Sequence, residues 1–166
     1  MSVVANTTIN KMCPRVEAVL NAEGFRIPIV AARWNELVTE RLAAGAERAL
    51  RMHGIHDPEV FWVSGTWEVP VLVHALIEEG ADAVVCVGCV LRGDTIHAQQ
   101  LSNSVAGAVA DLMMRTGVPV TWGILTCATQ EEALERAGLK KGNKGEEAAL
   151  AAIEAVCQKK KRSRSV

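Results

Sequence analysis

Aromatic residues are scarce in this chain. It contains no tyrosine and only two phenylalanines, so four tryptophans supply most of its aromatic surface. Three of them, Trp34, Trp67 and Trp122, lie at or near the ends of apolar runs with strand-like composition. Tryptophans at strand ends often belong to an ordinary core, but three at one edge of a sheet would also suit a flat heteroaromatic ligand.

Long apolar runs and an excess of one charge are absent as well. No apolar run approaches the ~20 residues of a membrane span. The net charge of -1 gives no reason to expect nucleic acid or a membrane surface as a partner. The start, "MSVVANTTINKMCPRVEAVL", lacks the basic segment and apolar core of a secretory signal. We therefore expect a cytoplasmic protein.

Cysteine usage argues against a disulfide framework, because the count of five is odd and the expected compartment is reducing. The "CVGC" stretch at 86–89 looks like a metal or redox motif. It lies in a strand-like run, however, where residues three apart face opposite sides of the sheet. We expect buried core thiols, structural or solvent-facing roles for His53, His56 and His74, and no metal site, since no histidine spacing fits one.

Short strand-like runs alternate with longer helical ones along the chain. The strand-like runs are 26–33, 59–63, 83–91 and 119–125, and the helical runs are 35–54, 71–80, 100–117, 129–138 and 146–158. This order predicts a three-layer α/β/α domain with a mainly parallel four-stranded sheet, flavodoxin-like in type, and leaves open an extra N-terminal edge strand. Asn35 is expected to cap the first helix, and Gly45 inside it weakens that helix by about 1 kcal/mol relative to alanine.

The domain boundaries follow from composition. Residues 1–25 have weak periodicity and are expected to form an N-terminal arm, and 26–158 form the domain. The run "KKKRSRSV" within 159–166 is expected to be a solvated, irregular basic tail.

The stretch "GCVLRGDTIHAQQL" (88–101) carries the strongest chemical signal. In open parallel sheets, ligands bind beyond the carboxyl ends of the strands, where this loop is expected. Gly93 allows close backbone approach, and Thr95 with the N–H groups entering a helix makes an anion site. His97 can move protons near neutral pH. The stretch predicts a phosphate beside a proton shuttle, with a surface or capping histidine as the alternative.

Three further charged residues are candidates on weaker grounds. Glu68 could accept hydrogen bonds from ligand hydroxyls, or it could be a carboxylate at the start of a helix. Arg136 and Lys144 flank the glycine-bracketed turn "GLKKGNKG", which would present the lysine. Isolated, both would be solvated cations.

Five pieces in order resemble the 6,7-dimethyl-8-ribityllumazine synthase family. They are "IVAARWNELVTERLAAGA", "VSGTWEVPV", "VGCVLRGDTIH", "GVPVTWGILT" and "ALERAGLKKGNKGEEAA", which span about residues 26–150. The resemblance implies a transferase of riboflavin biosynthesis that joins 5-amino-6-ribitylaminouracil to 3,4-dihydroxy-2-butanone 4-phosphate without a cofactor. Two alternatives are a flavin-binding or shell-forming relative with weak catalysis, and a phosphate-ligand module.

The resemblance also implies roles for individual residues. Contacts to the pyrimidine and the ribityl chain fall to Trp34, Gly65, Thr66, Trp67, Glu68, Cys89, Val90, Leu91, Trp122 and Lys144. Phosphate contacts fall to Gly93, Asp94, Thr95 and Arg136. His97, with Arg136, is the implied catalytic group.

In the family, the site lies between subunits of a pentamer, and Trp122 and Arg136 come from the neighbour. The "GLKKG" turn resembles the glycine-bracketed kink of shell-forming members, which favours a sixty-subunit shell over a free pentamer. Four positions depart from the family's usual pattern, which has proline at Ile96, an aromatic residue at Ala98 and acids at Gln99 and Ala128. Trp34, where phenylalanine is common, enlarges the stacking surface and favours a bound flavin.

Overall fold

The computed structural model describes residues 19–93 and 96–163. The elements in chain order are β1 (Ile29–Ala32), α1 (Glu36–Met52), β2 (Val60–Val63), α2 (Val69–Glu78), β3 (Val84–Leu91), α3 (His97–Thr116), β4 (Val120–Cys127), α4 (Gln130–Glu135) and α5 (Lys144–Ser163). A 3₁₀ turn at Thr66–Glu68 links β2 to α2. Within the described ranges, no helix has the length and apolar character that crossing a membrane requires.

The four strands form one parallel sheet in the order β2-β1-β3-β4. Helices cover both faces, so the valine-rich β3 is buried along almost its whole length. The predicted three-layer α/β/α architecture is confirmed. An extra N-terminal strand would fall largely in 1–18, which lies outside the described residues.

Side chains of β3 alternate between two cores. Val85, Val87 and Cys89 belong to the core under α1 and α5, whereas Val84 and Cys86 belong to the core under α2 and α3. The two cysteines of "CVGC" are therefore buried on opposite faces, as the spacing predicted. Burial raises the pKa of Cys86 and of Cys89 to about 12, which keeps both thiols protonated at neutral pH.

Three predicted helix boundaries are wrong by three residues or more, and one of them is the end of α4, which lies at Glu135 rather than at 138. Helix α3 begins at His97 rather than at Gln100, so the histidine is the first residue of the helix and not part of a preceding loop. Helix α5 continues to Ser163, so 159–163 are helical rather than irregular. The Lys160 ammonium lies 4.7 Å from the Phe25 ring centroid. Cations near a helix C-terminus also interact favourably with the helix dipole, so the basic run extends α5.

Helices α1 and α5 approach closely at Gly45. A Cβ at this position would lie 2.5 Å from both terminal atoms of the Asn143 side chain. The Asn143 amide donates to the Arg41 carbonyl at 2.8 Å, and its oxygen accepts from the N–H groups of Gly145 at 2.9 Å and Glu146 at 3.2 Å. Asn143 therefore caps α5 and ties it to α1. Gly45, which weakened the helix prediction, makes the room for it.

Candidate functional site

The first group of predicted site residues meets at the carboxyl ends of β1 and β2. The Trp34 N–H donates to the Ser64 carbonyl at 3.3 Å. A Cβ added to Gly65 would lie 3.2 Å from Cε3 of the Trp34 indole, so the ring lies over this glycine. The Trp34 side chain is nevertheless 66% exposed. An aromatic face is thus held in place and open to a ligand.

Glu68 and Thr66 shape the floor beside that ring. The Glu68 carboxylate accepts a hydrogen bond from the Gly65 N–H at 2.9 Å and closes the 3₁₀ turn. Thr66 is buried, with its hydroxyl 3.4 Å from the position a Cβ on Gly88 would take. Glu68 therefore acts as a carboxylate at the start of a helical turn, which was one of its two predicted roles. Its binding of ligand hydroxyls remains a prediction. Trp67, next along, is exposed.

The end of β3 joins this group through Asn35. The Asn35 side-chain amide donates to the Cys89 carbonyl at 2.7 Å. Asn35 occupies the N-cap position of α1, as predicted, but its side chain makes no capping hydrogen bond. It instead fixes the end of β3, where Cys89 and Val90 are buried and Leu91 is half-buried. We call Trp34, Gly65, Thr66, Glu68 and Cys89 the strand-end cluster.

His97 is exposed at the start of α3. Gly93 is also exposed, whereas Asp94 and Thr95 lie outside the described residues, so the predicted phosphate loop is only partly visible. Gln99, where the family often has an acid, donates to Asn103 at 2.8 Å. The Gln99 amide is therefore hydrogen-bonded to a residue one turn further along α3.

The buried face of α3 docks this helix on the sheet. Ala98, Ser102, Val105 and Val109 recur at helical spacing and are buried. Ser102 is the one polar member of this stripe, and its hydroxyl lies 3.0 Å from the hydroxyl of Thr126 on β4. Ala98, where the family has an aromatic residue, leaves a smaller side chain directly after His97.

A second group lines a cleft of about 310 Å³ along the edge strand β4, which we call the β4 cleft. Its lining residues are Trp122, Gly123, Ile124, Leu125, Thr126, Cys127, Glu132, Arg136 and Lys144. Glu132 holds Arg136 in two ways. One guanidinium nitrogen donates to the Glu132 backbone carbonyl at 3.0 Å, and the other lies 3.1 Å from the Glu132 carboxylate. Lys144 pairs with Glu147.

Glu132 also orders the start of α4, since its carboxylate accepts from the Ala128 N–H at 3.0 Å. Ala128 stands where the family often has an acid. The acid that lines the β4 cleft is instead Glu132, which the sequence analysis did not single out. Its position four residues before Arg136 on a helix was the available signal.

The predicted residues thus fall into two groups, which adjoin where Cys89 of β3 pairs with Leu125 of β4. The cleft lining contains no member of the strand-end cluster within the described parts of the chain. Trp122 is the third residue of β4 and pairs with Cys86 near the middle of the sheet. The expectation that three tryptophans share one carboxyl edge is therefore wrong for Trp122, because β4 starts only two residues before it.

The chemistry available differs between the groups. The strand-end cluster offers an aromatic face, a buried hydroxyl and the backbone of β3. The β4 cleft offers two cations, Arg136 and Lys144, each paired with a carboxylate of its own segment. The residues that the structure describes contain no group of three or more His, Cys, Asp or Glu side chains that could hold a metal.

Comparison with known proteins agrees with these features. The family model described as 6,7-dimethyl-8-ribityllumazine synthase matches residues 24–160. A 6,7-dimethyl-8-ribityllumazine synthase from Deinococcus radiodurans is 46% identical over 143 residues, which are 84% of this chain and 92% of the relative. One from Deinococcus deserti is 43% identical over 145 residues, which are 86% of this chain and 93% of the relative. The chain belongs to the 6,7-dimethyl-8-ribityllumazine synthase family.

Proposed function

We propose that this chain condenses 5-amino-6-ribitylaminouracil with 3,4-dihydroxy-2-butanone 4-phosphate to form 6,7-dimethyl-8-ribityllumazine, with release of phosphate and water. Family membership over most of the chain supports the reaction. The observation that carries the site is the exposed Trp34 ring, which lies over Gly65 at the carboxyl edge of the sheet.

The strand-end cluster binds the pyrimidine substrate in this proposal. The Trp34 face stacks on the pyrimidine ring, a geometry that aromatic pairs favour. Cys89, Val90 and Leu91 contact the ring, and the 65–68 segment, including Trp67, receives the ribityl chain and the ring edge. A backbone whose direction is already fixed loses little entropy on binding, so these contacts add affinity.

The phosphate of the second substrate binds between Gly93, Asp94 and Thr95 and the guanidinium of Arg136. Lys144 adds a second cation beside the pocket. Arg136 is already oriented by Glu132, so its charge needs no reorganisation as phosphate leaves.

His97 moves the protons. The ring amine attacks the ketone, and loss of water gives an imine. Loss of a proton and departure of phosphate then form an enol, whose ketone tautomer is attacked by the second amine to close the ring with loss of another water. Each step needs a proton taken from one atom and returned to another, which a positioned imidazole accelerates by roughly 10²–10⁴-fold. Holding both substrates together makes the first step effectively unimolecular.

The site is completed by a second copy of the chain. In one copy Cys89 pairs with Leu125 of the β4 cleft, but the cleft lining includes neither Trp34 nor Glu68. The cleft lies on an edge strand, with Trp122 partly exposed. A head-to-tail ring brings the cleft of one copy to the cluster of the next. We propose a pentamer, with a sixty-subunit shell favoured over a free ring. A cytoplasmic location belongs to the same proposal and rests on the sequence.

A mixing assay tests the function. The purified chain is combined with both substrates, and the product is followed by its absorbance and green fluorescence. We expect turnover above the uncatalysed rate and at least a tenfold loss in His97→Ala. His74→Ala, at an exposed histidine on α2, is the matched control and should keep full activity. Turnover at the uncatalysed rate, with a yellow flavin bound to the purified chain, would support the flavin-binding alternative that the exposed Trp34 favours.

A further inference from the structure

Asn35 has an unusual backbone conformation at the site. It has φ 63° and ψ 45°, and it is the one residue other than glycine with a positive φ within 19–93 and 96–163. Asparagine tolerates this left-handed region better than most residues do. The residue directly follows Trp34, so its backbone turns the chain between the aromatic ring and the start of α1.

The Asn35 side chain replaces a missing hydrogen bond of the sheet. The Val85 N–H donates to the Pro28 carbonyl at 2.9 Å, so the backbone polar groups of Val85 face β1. Strand residues alternate with a period of two, so those of Cys89 face β1 as well. Pairing between β1 and β3 ends at Ala31 and Val87, however. The Asn35 amide takes the place of the next rung, 2.7 Å from the Cys89 carbonyl.

We propose that Asn35 is a positioning residue for the pyrimidine half of the site. Its hydrogen bond closes the gap between the ends of β1 and β3, and it thereby fixes the Cys89–Leu91 backbone relative to the Trp34 ring. Both sides of the pyrimidine pocket then keep their spacing without a ligand. This inference rests on the proposed function, because it takes those two surfaces as the pyrimidine contacts.

Two roles of Asn35 can be separated by substitution. Its carbonyl accepts from the N–H groups of Val38 at 2.9 Å and Thr39 at 3.1 Å and so starts α1. Asn35→Gly keeps that carbonyl and the positive φ but removes the amide. Asn35→Asp keeps the shape but brings a carboxylate oxygen to the Cys89 carbonyl oxygen.

The test measures binding of two probes by calorimetry, 6,7-dimethyl-8-ribityllumazine and inorganic phosphate. We expect both variants to bind the lumazine about tenfold more weakly, the loss that follows from one hydrogen bond at a buried carbonyl. Phosphate affinity should stay within about twofold, since the proposed phosphate contacts include neither the Cys89 carbonyl nor the Trp34 ring. In turnover, KM should rise for the pyrimidine substrate and not for the phosphate-bearing one. Glu36→Gln, which changes the first turn of α1 alone, is the control and should match wild type.

Two results would overturn the inference while leaving the function intact. One is lumazine binding in Asn35→Gly within about twofold of wild type. The other is an equal loss of lumazine and phosphate affinity, which would indicate a general structural role. Failure of the wild-type chain to bind the lumazine would contradict the proposed function and, with it, this inference.

Discussion

Gly45→Ala should destabilise the protein, although alanine is the better helix former. Intrinsic propensity favours the substitution in the middle of α1 by about 1 kcal/mol. The new Cβ would lie 2.5 Å from the amide nitrogen and oxygen of Asn143, where no real Cβ fits. The Asn143 side chain must therefore leave, and it loses three hydrogen bonds to backbone groups.

The expected size follows from those bonds. At about 1 kcal/mol for each hydrogen bond, the loss is about 3 kcal/mol, and the propensity gain reduces it to about 2 kcal/mol. For a chain of this length, that corresponds to a fall in Tm of about 4–8 °C. Activity should fall as well, because Asn143 caps the helix that carries Lys144.

The assay is thermal unfolding followed by circular dichroism, at one protein concentration because assembly affects Tm. Gly107→Ala is the matched control, since a Cβ there meets no atom within 4 Å in the described structure. That variant should gain about 0.5–1 kcal/mol. In an Asn143→Ala background, Gly45→Ala should become stabilising, because the clash has gone. A Tm for Gly45→Ala at or above that of wild type would show that Asn143 keeps its hydrogen bonds beside the new methyl group.

Three further predictions concern the site and the core. Gly65→Ala places a Cβ 3.2 Å from the exposed Trp34 ring, so we expect KM for the pyrimidine substrate to rise several-fold with little change in Tm; an unchanged KM would exclude the ring as the stacking surface. Ser102→Ala and Thr126→Val should show a coupling of about 0.5–1.5 kcal/mol in a double-mutant cycle, and additive losses would contradict the paired hydroxyls. Burial raises the Cys86 pKa from 9.0 to about 12, so the unfolded thiol ionises first and stability is lost as pH rises above 9. In Cys86→Ala, the free energy of unfolding measured by urea titration should fall less steeply above pH 9, by up to about 1.4 kcal/mol per pH unit. The same pH dependence in wild type and variant would contradict this.

The sequence predicts the fold well because its signals are local. Valine-rich runs bounded by helical patterns are typical of strands buried on both faces, and the order of elements implies a parallel sheet. The carboxyl-edge location of Trp34 and Gly65 follows from that topology.

The contacts that a pattern could not reveal join distant parts of the chain. Asn35 meets Cys89 only because β1 ends one rung early, and the sequence does not show where pairing stops. Gly45 looks unfavourable within its own helix, and only its neighbour Asn143 on another element explains it. The interpretation of Trp122 as a strand-end residue is wrong although the run 119–125 predicts the start of β4 to within one residue, because Trp122 is only the third residue of that eight-residue strand.

Mixing inactive variants tests whether two copies of the chain share each site. His97→Ala and Arg136→Ala, each at least tenfold impaired alone, are co-assembled in equal amounts. If neighbours share sites, about a quarter of the sites in this mixture contain both intact residues. The control is an equal mixture of wild type with the double variant, in which about a quarter of the sites are also intact. We therefore expect equal activity, about a quarter of wild type, from both mixtures. Background activity from the first mixture and about half of wild-type activity from the second would show that one copy holds the whole site.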